Sequence, residues 1–357
     1  MKKNKQLFFA LIAAMLSACG GGGGGATVAS GPSSFSASCA GGTIQTSSIS
    51  LADATGKCPA VGIATLALAV PVSTYPAGSE ELAAFNLLNA ERGRCGFGLL
   101  AQNTQLDATA KAHADYQIVN NYLGHFENQQ LLPLGFTGVD ALARAAVQGY
   151  AGSLVGDYIS PMPSNVQPGY GLLGIRSLLS APYHLSGLLQ GYNDVGFAAR
   201  NNTQTNPART YPFTLLQVNM GVKATDKRQL VAALDTLTYP CDGSTNVKLA
   251  LFGEEPNPIP GRDLGVSPLG TPLYVMGRFG NTLTIASASL KETATNTAVV
   301  LRTPILAGTD PNNLFSSHEG YVAPDGPLKP MTGYTANITG ANNGTAFSKT
   351  FSFTTGN

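Results

Sequence analysis

Four histidines carry most of the chemistry open to this 357-residue chain, and three of them, His113, His125 and His184, fall in one stretch of it. An imidazole titrates near neutrality, so it can move protons, ligate a metal ion or hold a carboxylate. His113 stands between Ala112 and Ala114 in a helical pattern and reads as a packed or half-buried helix residue. His318, within Ser316-Ser317-His318-Glu319, reads as a residue of a solvated loop. His125 and His184 remain as the paired imidazoles. Two other motifs fall short. Gly169-Tyr-Gly171-Leu-Leu-Gly174 matches a dinucleotide fingerprint, with Asp194 lying 20 residues past its last glycine. Pro161, Pro163 and Pro168 precede it where that motif needs a buried strand, so no nucleotide cofactor is expected. There is no Gly-x-Ser-x-Gly, and Ser180, though near His184, lacks a turn to expose it, so a serine hydrolase is not indicated.

The elements that must position these residues are visible as periodicities. Ser79 has the side chain of an N-cap, with Glu80 and Glu81 in the first turn. Leu82, Phe85 and Leu88 then share a stripe that Gly93 ends. A second helix is expected from Leu106 to Tyr122, with apolar residues every four positions, and a third apolar stretch covers Gly174 to Leu189. Asp194 to Arg200 and Tyr211 to Val222 read as two strands. Helices followed by an antiparallel pair imply an α+β domain ending near Cys241. From Asn246 onward the texture changes. Val247 to Phe252, Leu273 to Phe279, Leu283 to Leu290, Val299 to Leu306, Tyr334 to Ile338 and Phe347 to Phe353 are short and alternating, and Asn343-Gly344 is a hairpin turn. Such strands imply a β-sandwich. The ending, Tyr334-Thr-Ala-Asn-Ile-Thr339 with Phe351-Ser-Phe-Thr-Thr-Gly356, resembles bacterial immunoglobulin-like domains. With no constellation of reactive groups, this part reads as a spacer or adhesion module.

The N-terminus speaks to location. Lys2, Lys3 and Lys5 precede an apolar run from Leu7 to Met15. That run is shorter than the about 20 residues a bilayer span needs, so it reads as a secretory signal. Leu16-Ser17-Ala18-Cys19 resembles the bacterial lipobox, whose cysteine is acylated and becomes the new N-terminus. Gly20 to Gly25 then buries nothing and suits a flexible tether. The sorting rule this resemblance implies favours the outer membrane, because the residue after the cysteine is the small Gly20. Removing the three lysines of the signal takes the formal charge from +1 to −2, so nucleic acid is not an expected partner. Only 11% of residues are charged, against 42 glycines and 22 prolines, a loop-rich composition suited to the cell envelope. The lack of tryptophan weakens a carbohydrate-binding role. Four cysteines remain: Cys39, Cys58, Cys95 and Cys241. In an oxidising compartment they imply two disulfides, with three pairings open. Local closure favours Cys39–Cys58, leaving Cys95–Cys241, and the spacings match no zinc site. The expected divisions are a signal at 1–18, a tether and loosely ordered leader at 19–75, the α+β domain at 76–242 and the sandwich at 243–357.

Several short motifs occur in a familiar order. Leu88-Asn-Ala-Glu-Arg92, Leu106-Asp107, Ala112-His-Ala-Asp115, Gly124-His125 and Arg144 with Gly149-Tyr150 resemble the CAP superfamily of SCP domains. That family includes the cysteine-rich secretory, antigen 5 and pathogenesis-related proteins. Gly156-Asp-Tyr-Ile159 stands for its Gly-Glu-Asn-Ile, Ser180-Ala-Pro-Tyr-His184 for its Ser-Pro-Gly-His, and Val195-Gly-Phe197 for its Val-Gly strand. The resemblance spans about residues 79 to 222 and implies a CAP-type α/β/α sandwich, followed here by the immunoglobulin-like sandwich.

The same resemblance implies a cleft of two histidines and one or two glutamates, where some members bind a divalent metal such as zinc. His125 and His184 match the histidines, and Asp157 stands where the first glutamate is expected. The second has no acidic match between Ile175 and Tyr183, which leaves Glu127, two residues after His125, as a substitute ligand. Two neutral imidazoles and a carboxylate would make a three-ligand site completed by water. Reported roles in the family range over sterol or lipid binding, metal binding and proteolysis. The expected function is therefore an exported, lipid-anchored protein binding a small or lipid-like ligand, or a divalent metal, in a histidine-lined cleft. The alternatives are a metal-assisted hydrolase of envelope peptide or glycan, and an adhesive protein using the domain as scaffold. Whether the protein is an enzyme stays open, since the missing second carboxylate removes the obvious general base.

Overall fold

The computed structural model describes residues 35–39, 42–46, 65–163, 168–202 and 213–357. The first of these form a hairpin, β1 (Phe35–Cys39) with β2 (Gly42–Thr46). Cys19 and Cys58 lie outside the described residues, so the lipid anchor and the Cys39–Cys58 pairing do too.

Helix α1 (Glu80–Cys95) starts where its cap residue predicts, with Ser79 Oγ accepting from the Leu82 amide at 3.1 Å. It runs past Gly93 and stops at Gly96, whose φ of 82° supplies the left-handed turn. Helix α2 (Thr104–Val119) begins two residues before Leu106, because the Asn103 side chain caps the amides of Gln105 and Leu106. A short α3 (Ala141–Val147) follows, capped by Asp140. The apolar stretch to Leu189 divides into α4 (Tyr170–Leu178) and α5 (Pro182–Leu189), where Pro182 can open a helix but not continue one.

These helices sandwich a sheet of β3 (Ala101–Gln102), β4 (Gly152–Pro163), β5 (Asp194–Asn202) and β6 (Phe213–Lys223), in spatial order β3-β5-β6-β4. The period of two along β6 sorts the layers. Leu216, Val218, Met220 and Val222 join the core built on α1, α4 and α5, whereas Leu215 packs with Ala114 of α2. Gln217, on that same second face, accepts from Gln117 of α2. The half is α+β, as expected.

Strand β4 corrects one inference drawn from the sequence. It runs through Pro161 and Pro163, which pair in register with Leu215 and Phe213. As the edge strand it has, among the described residues, no second neighbour needing those missing N–H groups. A strand therefore does precede the glycine-rich segment. The anion that meets the segment's amides is internal: the Glu80 carboxylate accepts from Gly169 and Gly171 at 2.8 and 2.7 Å. A Cβ on Gly171 would lie 2.1 Å from the Glu80 carbonyl oxygen, so glycine is required there.

The second half comprises β7 (Leu237–Tyr239), β8 (Ser244–Val247), β9 (Ala250–Leu251), β10 (Leu269–Gly270), β11 (Leu273–Met276), β12 (Leu283–Glu292), β13 (Ile305–Leu306), β14 (Glu319–Val322), β15 (Gly333–Asn342) and β16 (Thr345–Thr355). Two four-stranded sheets result, β13-β14-β11-β7 and β12-β15-β16-β8, with β9 and β10 as a separate pair. The β15–β16 turn is the expected Asn343-Gly344, both residues at positive φ. Strand β7 precedes the expected boundary at 242 and already pairs with β11.

This half packs against the first. Leu273 and Val275 of β11 point into the core between the sheets, while Tyr274 and Met276 join the core that holds Leu185, Leu188 and Leu189 of α5. One apolar core therefore runs through both halves. The disulfide Cys95–Cys241 ties the end of α1 to the segment entering β8. Polar groups cross the same joint: Glu319 Oε2 accepts from Ser186, Gln190 and Tyr274.

His318 is likewise at the joint and not in a solvated loop. Its ring is buried, 5.3 Å from that of Phe279, and neither ring nitrogen has a hydrogen-bond partner among the described residues. Arg228 lies over the other partner, 3.9 Å from the Phe279 centroid, and Glu319 adjoins. Burial lowers the pKa of His318, more than the nearby Glu319 carboxylate raises it. The unfolded chain thus binds this proton more readily, so stability falls as pH drops below the ordinary imidazole value, by up to about 1.4 kcal/mol per pH unit. We expect His318→Leu to flatten that decline in urea-unfolding curves taken between pH 7.5 and 5.5. An unchanged slope would assign the loss to other groups.

Candidate functional site: a histidine cleft at the edge of the sheet

The site lies across the free edge of β4. Neighbouring residues of a strand point to opposite faces, so Asp157 faces the α2–α3 layer and Tyr158 the α5 layer. On the first side, Asp157 Oδ2 lies 3.3 Å from Nδ1 of His125 and 3.1 Å from Nη2 of Arg144. On the second, the Tyr158 ring lies 6.4 Å from that of His184, which is itself 6.2 Å from the His125 ring. Residues 59 positions apart in the chain, His125 and His184, thus meet over the edge strand.

Each imidazole is oriented through Nδ1 by a buried carboxylate. For His184 that carboxylate is Glu254, from the loop after β9 in the second half. Glu254 Oε1 accepts from Nδ1 of His184 at 2.7 Å and from the amides of Tyr183 and His184 at 2.9 Å each. The local reason is a helix end without its own cap. Ala181, the N-cap of α5, has no side-chain oxygen, and the glutamate supplies the negative charge that the helix N-terminus favours. The sequence shows that uncapped end but not which distant carboxylate fills it.

Arg144, a motif residue to which its sequence context gives no role, is the other member of the site. Fully buried on α3, it donates to the His125 carbonyl at 3.0 Å and to Asp157, and its Nε lies 3.9 Å from Glu127. Glu127 faces away from the cleft. Its oxygens accept from His113 Nδ1 at 2.9 Å, from the Thr137 hydroxyl and amide, and from the Gly138 amide. His113, expected to be packed in its helix, is fully buried, with Nε2 2.9 Å from the Gly124 carbonyl.

Charge is balanced within this cluster. Burial alone would raise the pKa of Asp157, but the hydrogen bond and charge of His125, with Arg144 and His113, hold it below the usual carboxylate range. Glu127 is held low in the same way, its burial outweighed by His113, the Thr137 amide and Arg144. The hydrogen bond to Asp157 raises the pKa of His125, against the effect of its partial burial. His125 therefore keeps its proton to a higher pH than a free imidazole, although its side chain is 40% exposed.

This donor set does not form the three-ligand centre that the family resemblance implies. Among the described residues no three His, Cys, Asp or Glu side chains stand together where one ion could touch them all. Asp157 is engaged by Arg144 and His125, and Glu127 lies a layer behind. The other motif residues serve the fold. Arg92 donates to the carbonyls of Phe97, Gly98, Leu188 and Gln190, while Asn89 exchanges two hydrogen bonds with the backbone of Leu100.

No family model matches the chain, and no curated protein matches it. Among solved structures it is similar to an extracellular protein containing an SCP domain from Bacillus anthracis, at 21% identity over 40% of each chain, with a TM-score of 0.30. It is also similar to an outer surface protein from Borrelia burgdorferi, at 13% identity over 40% of this chain and 92% of that one, with a TM-score of 0.32. The chain thus spans well under half of the Bacillus protein.

Proposed function

We propose that the chain is an exported CAP-type protein, lipid-anchored through Cys19 at the outer membrane, whose cleft binds a small or lipid-like anionic ligand between His125 and His184. The observation that carries this is the pair of facing imidazoles. Each is fixed through Nδ1 on a buried carboxylate, which leaves Nε2 for a partner from outside. The retained proton on His125 favours an anionic head group, and the adjoining Phe126 is exposed, suiting an apolar tail. No hydrolytic role is proposed, because Asp157 and Glu254 are both committed to holding other groups.

Calorimetric titration with decanoate tests the reading. Binding should weaken as pH rises through the raised His125 pKa, because the cationic ring is what the carboxylate meets, and His125→Ala should abolish it. A divalent ion needs neutral imidazole and gives the opposite slope. Zinc binding that strengthens with pH and vanishes in His125→Ala and His184→Ala would move the assignment to a metal cleft. Equal affinities for both probes in all three proteins would leave only a hydrogen-bonded scaffold and an adhesive role.

A further inference from the structure

The connection from α2 to α3, with the helix ends that flank it, shows an uncommon surface. Val119, Phe126, Leu131, Leu134, Val139, Leu142 and Val147 are all exposed, Phe126 at 67% and Leu131 at 77%. Apart from the partly exposed His125 imidazole, no exposed side chain from Val119 to Gly149 carries charge: Glu127 and Arg144 are buried and Asp140 caps α3. Hydrogen bonds hold this surface in place. The Asn120 side chain donates to the Leu134 carbonyl beside Val119, and the Glu127 amide donates to the Val139 carbonyl beside Phe126. Soluble proteins expose single apolar side chains freely but rarely gather them on a surface without charge.

We propose that this loop is a bilayer-docking surface that lays Phe126, Leu131 and their neighbours into the acyl boundary of the membrane. The choice of a bilayer as occupant rests on the Cys19 anchor proposed above. The 45 residues between Cys19 and Thr65 reach at most about 160 Å when extended, so an anchored body never leaves the neighbourhood of a membrane. With His125 the single cation at its edge, this surface attracts chiefly through its apolar area. Insertion is driven by apolar burial, so it persists on neutral lipid and in added salt, unlike that of a basic patch. His125 directly precedes Phe126, so docking opens the cleft toward the lipid and makes a lipid-like ligand the natural one.

The chain has no tryptophan, which makes the test direct. Phe126→Trp, Leu131→Trp and, as a remote control, Val266→Trp at an 82% exposed position each introduce a single fluorophore into the full acylated protein. Each variant is reconstituted on phosphatidylcholine vesicles whose acyl chains carry bromine. The expected result is several-fold stronger quenching, with a blue shift, for the two loop variants than for Val266→Trp, present on phosphatidylcholine alone and retained in added salt. Acylation at Cys19, read by mass spectrometry, reports the anchor independently of the loop. Acylated protein on the vesicles with unquenched loop fluorophores overturns the proposal, as does quenching found only with anionic lipid. Concentration-dependent dimers that shield the same positions without vesicle quenching overturn it in favour of a protein interface.

Discussion

Arg144→Met should cost on the order of 3–5 kcal/mol of folding stability at neutral pH, the loss typical of removing one member of a buried charge cluster. The guanidinium is fully buried between the carboxylates of Asp157 and Glu127 and also holds the His125 carbonyl. Methionine fills similar volume but takes one cation from each acid and leaves them only the histidines, so their pKa values rise. The deficit should therefore shrink as the pH is lowered and the acids take up protons. The charge of Arg144 also holds the pKa of His125 down, so the same variant should show His125 titrating higher still in NMR spectra. Arg144→Lys keeps the charge but not the two-pronged geometry and should recover only part of the loss. A cost below about 1 kcal/mol, with His125 titrating as before, would show that the cluster is not coupled through this residue.

The second large effect concerns the disulfide. Cys95 and Cys241 are separated by 146 positions, and the loop-closure relation for a ring of that size gives about 5 kcal/mol of destabilisation of the unfolded chain. The double variant Cys95→Ala with Cys241→Ala should lose about 3–5 kcal/mol in guanidinium unfolding, since the reduced chain retains some compactness. Both cysteines are buried in the core that joins the halves, so native protein should resist dithiothreitol until it is partly unfolded. Ready reduction under native conditions would show that the joint opens on its own.

What the sequence makes legible follows from how local each signal is. The cap at Ser79, the apolar stripe behind it and the Asn343-Gly344 turn are decided within a few residues, and each forms as its neighbours dictate. The single apolar stretch to Leu189 becomes two helices because periodicity does not register where a proline may begin a new helix. Strand β4 escapes notice because a proline's cost in a strand depends on whether that strand has one neighbour or two, a property of the whole sheet. In the site, His125, Asp157 and His184 are indicated through the order of the family motifs. Glu254 is not, because it reaches the cleft from 70 residues beyond His184. Arg144 is visible as a motif residue, but only packing shows that it faces Asp157 and Glu127. His318 reads as solvated because its flanking Ser and Glu are polar, whereas Glu319 is itself buried among hydrogen-bond donors.

The placement of Glu254 bears on how such a chain can be inherited. A module that folds alone can be copied, shuffled or lost by recombination without harm to its neighbour. Here a gene fragment encoding only the first half would carry His184 without its carboxylate, α5 without its cap and half of a core. A fragment encoding the second half would expose Tyr274 and Met276. Exchange at the joint would therefore disrupt both sides unless they changed together.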